Sequence, residues 1–158
     1  MTTICILSDS HGSIHKEIIK LANQSDIAIH AGDVIDESTL SSLQPKDKLI
    51  AVAGNNDGHI GSLDDIESLH FPSGSIVIEH GHQHGWHQPS HASLRSTHAN
   101  AKVVIYGHTH KQIIDQENTP WIVNPGASGK VRNYGGARCL LMKVHDTKEW
   151  QIKSYTFD

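Results

Sequence analysis

Five short apolar segments of the chain each end in a polar motif rich in Asp, Asn, His and Gly, and this pattern constrains the fold most strongly. The motifs are Ser8-Asp9-Ser10-His11, Gly32-Asp33, Gly54-Asn55-Asn56-Asp57, His80-Gly81-His82 and Gly107-His108-Thr109-His110. Short apolar runs bounded by turn-forming residues are typical of buried strands. Side chains two positions apart on an extended segment project to one side, so His108 and His110 face the same way. The sequence therefore predicts strands whose ends carry polar groups that can cluster.

The first half of the chain alternates strand and helix patterns. In the order β-α-β-α-β, the predicted elements cover residues 4–7, 13–23, 27–31, 38–43 and 49–53. Ser13 is the predicted N-cap of the first helix. Continuous apolar strands separated by helices indicate a parallel sheet covered on both faces. Ligands bind at the carboxyl ends of the strands in such sheets, which is where Asp9, Asp33 and Asn55 fall.

The second half contains more strands than helices. One helix is predicted over residues 89–100, and strands over residues 68–71, 75–79, 102–106, 112–115, 121–124, 138–145 and 149–157. The strands over residues 112–115 and 121–124 are predicted to form a β-hairpin, and the last two strands are predicted to form an antiparallel hairpin. Two sheets packed face to face, with helices outside, would bury the apolar faces of both. We therefore expect an α/β fold in a single domain, residues 1–158.

Charge and composition exclude several classes of protein. The formal net charge of -4 and the absence of a Lys/Arg run make nucleic acid an unlikely partner and argue against an anionic membrane surface. The N-terminus lacks the pattern of a signal peptide, and no apolar stretch is long enough to span a bilayer. Cys5 and Cys139 both fall in predicted strands, which favours two buried thiols over a disulfide. These features predict a cytoplasmic protein.

The number of histidines, 14 in 158 residues, points to metal binding. Only some of them belong to the strand-end motifs. We interpret most of the others as solvated polar residues, namely His15, His82, His84, His87, His91, His98 and His145. His30 and His70 lie in strand patterns and are predicted to be packed and hydrogen-bonded.

The strand-end motifs supply seven nitrogen or oxygen donors, which are Asp9, His11, Asp33, Asn55, His80, His108 and His110. That number exceeds what one tetrahedral ion takes, so two divalent ions are predicted, with Asp33 as the shared carboxylate. Mixed imidazole and carboxylate donors suit manganese, iron, nickel or zinc. Neither a nucleophilic-serine motif nor a P-loop is present, so water is the expected nucleophile.

The motifs D-x-H, G-D, G-N-x-D, H-G-H and G-H-T-H, in this order, resemble those of the calcineurin-like metallophosphoesterases. The length and the H-G-H-Q form are most similar to the small single-domain branch of bacterial and archaeal phosphodiesterases, which the phosphoesterase-fold subunit of retromer also resembles. The resemblance implies a four-layer α-β-β-α sandwich and hydrolysis of a phosphate ester, commonly with manganese. A hydroxide that bridges the two ions is the nucleophile expected from the two-metal chemistry. It also implies one metal on Asp9, His11, Asp33 and His110, and the other on Asp33, Asn55, His80 and His108.

Two departures from the family pattern concern the substrate. Many members carry a histidine directly after the asparagine of the third motif, where it binds phosphate and assists the leaving group, whereas this chain has Asn56. Asn56 is therefore the candidate catalytic and substrate-binding residue, although an amide cannot act as a general acid. The late N-P-G-S turn of the family is Asn124-Pro125-Gly126-Ala127 here, followed by Ser128. Arg132, beyond it, is a candidate phosphate contact.

Three other functions compete with a phosphodiesterase acting on a small phosphate ester. A phosphomonoesterase would use the same metal ligands and differ only in the outer cleft. A metal-binding interaction scaffold would use the fold without physiological catalysis, but every ligand position here carries a competent residue. A nuclease is disfavoured by the acidic charge balance. The sequence does not specify the oligomeric state.

Overall fold

The computed structural model describes all 158 residues and contains ten strands. In chain order they are β1 (Thr2–Leu7), β2 (Ile27–His30), β3 (Lys48–Ala51), β4 (Ile66–Phe71), β5 (Gly74–Glu79), β6 (Val103–Ile105), β7 (Ile113–Asp115), β8 (Trp121–Asn124), β9 (Ala137–Val144) and β10 (Gln151–Phe157). They form two five-stranded sheets with the orders β10-β9-β1-β2-β3 and β4-β5-β6-β8-β7.

Each sheet has a parallel centre and antiparallel edges. In the first sheet β1, β2 and β3 run parallel, while β9 and β10 pair antiparallel beside β1. In the second sheet β5, β6 and β8 run parallel, with β4 and β7 antiparallel at the two edges. The β7–β8 and β9–β10 hairpins confirm the two antiparallel pairs that the sequence predicts. The parallel strands of each sheet therefore end together at one edge.

Two short α-helices, α1 (Lys16–Gln24) and α2 (His91–Thr97), and two 3₁₀ helices, Glu37–Ser42 and His82–His84, connect the strands. The predicted N-cap of α1 is wrong, because Nδ1 of His15, and not Ser13, accepts the hydrogen bond from the Glu17 amide. Helix α2 is shorter than predicted. Its N-cap is Ser90, whose side chain accepts from the amide of Ser93.

Apolar side chains form three buried layers. A cluster of 17 buried residues, including Ile6, Ile29 and Ile105, fills the space between the two sheets. Smaller clusters lie under α1 on the first sheet and under α2, around Leu94, on the second. Each fully buried isoleucine or leucine contributes roughly 1.5–3 kcal/mol. This arrangement confirms the predicted fold, a four-layer α-β-β-α sandwich of two mixed sheets with few flanking helices.

Several other expectations can be compared directly with the structure. Cys5 and Cys139 are both buried free thiols, as predicted. His30 is buried and its Nε2 lies 2.9 Å from Oγ of Ser10, also as predicted. The interpretation of His70 is wrong, because its side chain is exposed on the β4 edge strand. None of the helices has the length and apolar character needed to cross a bilayer.

Candidate metal centre

Hydrogen bonds join the loops that follow β1 and β2, and likewise the loops that follow β5 and β6. The Asp9 amide donates to the Gly32 carbonyl at 2.9 Å, and the His11 amide donates to the Asp33 carbonyl at 3.1 Å. The Gly107 amide donates to the His80 carbonyl at 3.0 Å. The His108 amide in turn donates to Oδ2 of Asp9 at 3.0 Å and links the two pairs of loops, so that four of the five polar motifs lie together between the edges of the two sheets.

Two buried carboxylates lie at the centre of the site. Oδ1 of Asp9 lies 3.7 Å from Nε2 of His80 and 3.6 Å from Nε2 of His110. Oδ2 of Asp33 lies 3.5 Å from Nε2 of both His11 and His80. His80 therefore stands between the two carboxylates, with one further histidine beside each.

Backbone carbonyls fix which nitrogen of three histidines faces the cleft. Nδ1 of His80 donates to the Ala31 carbonyl, and Nδ1 of His110 donates to the Val131 carbonyl, both at 2.7 Å. His108 is turned the other way, with Nε2 donating to the Trp86 carbonyl at 2.5 Å.

A carbonyl oxygen can only accept, so in each of these histidines the nitrogen that meets it carries the proton. In the neutral ring the opposite nitrogen then offers a lone pair, which is the form that binds a metal. For His108 this nitrogen is Nδ1, which lies 3.1 Å from Oδ1 of Asn55. His80, His108 and His110 are thus oriented as metal ligands would be, and Asn55 lies beside the free nitrogen of His108.

The backbone at the site adopts an unusual conformation. Positive φ angles occur at five of the seven candidate ligands, namely Asp9 (50°), His11 (46°), Asp33 (58°), His108 (73°) and His110 (64°). A residue other than glycine in this region costs roughly 1–3 kcal/mol, and such residues concentrate at functional sites. The fold therefore holds these side chains in place against local backbone preference.

Two glycines, which have no side chain, make room for the carboxylates of Asp33 and Asp9. A Cβ at position 54 would overlap Oδ1 and the backbone nitrogen of Asp33, and a Cβ at position 107 would overlap Oγ of Ser8 and Oδ2 of Asp9. Substituting either glycine would displace a candidate ligand. The glycines of the G-N-x-D and G-H-T-H motifs are thus required by close packing around the site.

Unpaired buried atoms test whether these residues fit a metal. Oδ1 of Asp9 and Nε2 of both His11 and His80 are buried and have no hydrogen-bond partner. Buried polar atoms without partners are costly, and a cation in the cleft would satisfy all three.

Two groups of donors have ligand atoms within 4.8 Å of one another, Asp9 with His11 and His110, and Asp9 with Asp33 and His80. Asp9 belongs to both groups, and Asp33 faces His11 as well as His80. Oxygen and imidazole donors in these positions fit divalent metal ions.

Burial and the neighbouring charges set the electrostatics of the site. Burial raises the pKa of Asp9 to about 7, although the nearby imidazole of His80 opposes this. Burial also acts to raise the pKa of Asp33, but the nearby imidazole of His80 and the hydrogen bonds from Asn56 outweigh it and hold that pKa below its ordinary value. Burial lowers the pKa of His110 to about 4, which keeps this ring neutral. A buried pair of carboxylates favours a cation beside it.

Sequence reasoning missed the residues that hold these loops. The buried carboxylate of Asp57 accepts hydrogen bonds from the amides of Val34, Ile35 and Gly54, at 2.8–3.0 Å. It therefore ties the loop after β2 to the loop after β3. Asp57 ends the G-N-x-D motif, and this position was the available signal. Ser128 has a similar role in the late turn, because its hydroxyl donates to the Ser8 carbonyl at 2.8 Å.

A cleft of about 390 Å³ opens beside the candidate ligands. Asn56 and Arg132 both line it, together with Lys111, Trp86 and Tyr134. Nη2 of Arg132 lies 3.4 Å from Nε2 of His110, so its guanidinium group reaches the metal centre. The side chain of Asn56 is directed to Asp33, with Nδ2 donating to Oδ2 at 3.0 Å.

Comparison with known proteins places this fold and site in a family. Residues 2–147 match the Calcineurin-like phosphoesterase superfamily domain. The chain is 30% identical over 140 residues to the probable metallophosphoesterase MG207 of Mycoplasma genitalium, which covers 84% of this chain and 81% of that protein. It is 28% identical over 141 residues to phosphodiesterase MJ0936 of Methanocaldococcus jannaschii, covering 78% and 82%. The crystal structure of Chaetomium thermophilum Vps29 has the same fold, with a TM-score of 0.79 at 17% identity over 99% of this chain and 96% of Vps29.

The chain therefore belongs to the calcineurin-like phosphoesterase superfamily. Within it, similarity to these relatives confirms the small-domain branch that the motifs indicate. The family and the donor set together identify a phosphoester hydrolase that uses divalent metal ions.

Proposed function

We propose that the protein is a phosphodiesterase whose cleft holds two divalent ions, manganese under physiological conditions. In this proposal Asp9, His11, Asp33 and His110 bind one ion, and Asp33, Asn55, His80 and His108 bind the other. One observation carries it. The lone pairs of His80 and His110, fixed by backbone carbonyls, face two buried carboxylates, and the lone pair of His108 faces Asn55 beside an open cleft.

The residues around this floor have separate tasks. When bound, the two ions would activate water for attack on phosphorus and neutralise the charge of the phosphate. Arg132 provides a guanidinium group that can donate two hydrogen bonds to the phosphoryl oxygens. Asn56 keeps both oxygens of Asp33 in place through its amide and side-chain nitrogens. Hydrolysis then breaks the bond from phosphorus to the leaving oxygen, and that oxygen needs a proton or must be a weak base.

The residue at the position of the family's leaving-group histidine, Asn56, is not an acid. Asn56 cannot release a proton at neutral pH. His59, the nearest histidine along the chain, does not line the cleft, and its Nε2 donates to the Ile35 carbonyl at 2.6 Å. The site therefore favours esters whose leaving groups depart as weak bases.

The outer cleft favours a diester over a monoester. Trp86 and Tyr134 are 58% and 52% exposed and line the cleft together with Arg132. Exposed aromatic faces of this kind pack well against an apolar or aromatic substituent. A diester has a second substituent that can occupy this space, whereas a monoester does not.

Hydrolysis of bis(p-nitrophenyl) phosphate with and without Mn²⁺ tests the proposal. We expect Mn²⁺-dependent release of p-nitrophenol, faster than from p-nitrophenyl phosphate. Arg132→Ala should lower the rate on the order of 10- to 100-fold, because it removes a charged hydrogen-bond donor. Lys130→Ala, an exposed cation outside the cleft, is the matched control and should retain the parent rate. Absence of diester hydrolysis across a panel of divalent metals would reject the proposed activity.

A further inference from the structure

A second group of potential metal ligands lies on the opposite face of the second sheet from the cleft. Alternate residues of β5 point to opposite faces, so His80 faces the metal centre while Glu79, like Val77, points toward α2. His84 belongs to the 3₁₀ helix His82–His84, and His98 caps the C-terminus of α2. Three separate segments therefore bring one carboxylate and two imidazoles together.

The geometry of this group is that of a set of metal ligands. Nε2 of His84 lies 3.1 Å from Oε1 of Glu79, and Nε2 of His98 lies 2.5 Å from Oε2. The ligand atoms of the three residues lie within 4.8 Å of one another. All three side chains are largely enclosed, with 7–12% of their surface exposed. The sequence interpretation of His84 and His98 as solvated residues is wrong.

A serine hydroxyl supports the orientation of His84. Nδ1 of His84 lies 2.7 Å from Oγ of Ser93, on α2. A hydroxyl can accept as well as donate, so it can receive the proton of Nδ1 and leave the lone pair on Nε2. A hydrogen bond of this kind to the outer nitrogen is typical of histidines that bind metals.

The charge on Glu79 has no permanent counterion. Glu79 is buried, and its only ion-pair partners are His84 and His98. The comparable His91–Asp115 pair differs, because Nη2 of Arg95 lies 2.9 Å from the Asp115 carboxylate and supplies a positive charge. A buried carboxylate is costly without a cation, and a metal ion between Glu79 and the two imidazoles would supply one.

We propose that Glu79, His84 and His98 form an additional zinc site, separate from the catalytic cleft. Two imidazoles and one carboxylate with a water as fourth ligand is an established zinc coordination, and the imidazole content favours zinc over manganese or magnesium. The site joins the end of β5 to both ends of the segment of residues 84–98. That segment also carries Trp86, which lines the cleft.

Zinc content after dialysis tests the site independently of catalysis. In the variant Asp33→Ala/His110→Ala, which lacks central donors of the cleft, we expect one zinc ion per chain to be retained through Glu79, His84 and His98. Adding His98→Ala or Glu79→Gln should remove that ion. Adding His91→Ala should not, although His91 is also a histidine on α2 that contacts a carboxylate. Zinc should also raise the Tm of the double variant, and this rise should disappear with His98→Ala.

If the Asp33→Ala/His110→Ala variant does not fold, zinc content can be compared in the chain with an intact cleft. There, His84→Ala/His98→Ala should lower the zinc content by one ion relative to His91→Ala, with the Mn²⁺-dependent diesterase activity retained. Equal zinc content in the two variants would overturn the proposal and leave a hydrogen-bonded histidine–glutamate cluster. Because zinc is counted directly, an inactive enzyme would refute the proposed phosphodiesterase without affecting this result.

Discussion

Asn56 donates to both oxygens of Asp33, from its backbone nitrogen to Oδ1 and from Nδ2 to Oδ2, each at 3.0 Å. This pair of bonds orients the carboxylate that faces both His11 and His80. Asn56, which stands where many family members have a histidine, therefore orients a candidate metal ligand. Its side chain is directed to Asp33 and leaves the leaving-group position without an acid.

Asn56→Ala should weaken metal binding. The substitution removes one hydrogen bond to Asp33, and losing a bond that orients a metal ligand typically costs ~10–100-fold in metal affinity or activity. Titration of the variant with Mn²⁺, followed by diester hydrolysis, measures the effect. Asn23→Ala is the control, because Asn23 bonds to Ser42 and Gln44 far from the cleft. Unchanged Mn²⁺ dependence in Asn56→Ala would show that Asp33 does not need this support.

Rates should depend strongly on the leaving group. A positioned general acid is typically worth ~10²–10⁴-fold, and Asn56 cannot act as one. Aryl diesters should therefore outpace alkyl diesters by a wide margin. Asn56→His should narrow the gap by accelerating alkyl esters selectively, at matched metal occupancy. Parent rates that barely change with leaving-group pKa, measured where chemistry is rate-limiting, would reveal another acid.

Asp57→Asn should destabilise the fold. The NH₂ group that replaces one carboxylate oxygen cannot accept a hydrogen bond, so either the Ile35 amide, which donates to Oδ1, or the Val34 and Gly54 amides, which donate to Oδ2, lose their acceptor. We expect a loss of about 3 kcal/mol in the free energy of unfolding at neutral pH, measured by urea denaturation. Asp47→Asn, at an exposed aspartate, should change stability little. Equal stability of the two variants would contradict the structural role given to Asp57.

The Asp115 cluster should contribute stability that depends on pH. Burial acts to raise the pKa of Asp115, but hydrogen bonds from His91 and Arg95 outweigh it and hold that pKa at about 2, below its ordinary value of 3.8. A lowered pKa stabilises the folded state above the ordinary pKa, and this contribution is lost as pH falls toward 2. Asp115→Asn should therefore cost ~1 kcal/mol at pH ~6, after reduction for solvent screening, and progressively less below pH ~4. Urea denaturation of both proteins across this range measures the difference, and a difference that grows on acidification would contradict the assignment.

The strand ends were predictable from the sequence, and the partners of the polar side chains were not. Apolar runs that stop at Asp9, Asp33 and His80 mark strand ends locally, and the order of the motifs resembles one family. The positive φ angle at Asp33 and the carbonyl that orients His108 depend on contacts between distant segments. The sequence pattern does not contain this information.

The contact of His98 with Glu79, 19 residues away, is a further example. Nothing near His98 along the chain distinguishes it from a solvated residue. Three expectations stay predictions: a single domain over residues 1–158, the cytoplasmic location and the individual ligand roles.

The most direct measurement of the central claim is the diesterase rate followed against the number of manganese ions bound per chain, in the His84→Ala/His98→Ala variant so that only the cleft binds metal. Two manganese ions should bind per chain, and the rate of diester hydrolysis should rise as the second ion binds. Asp33→Ala in this background should bind fewer than two ions and lose hydrolysis. Full activity with one ion bound, or two ions bound without diester hydrolysis, would contradict the account.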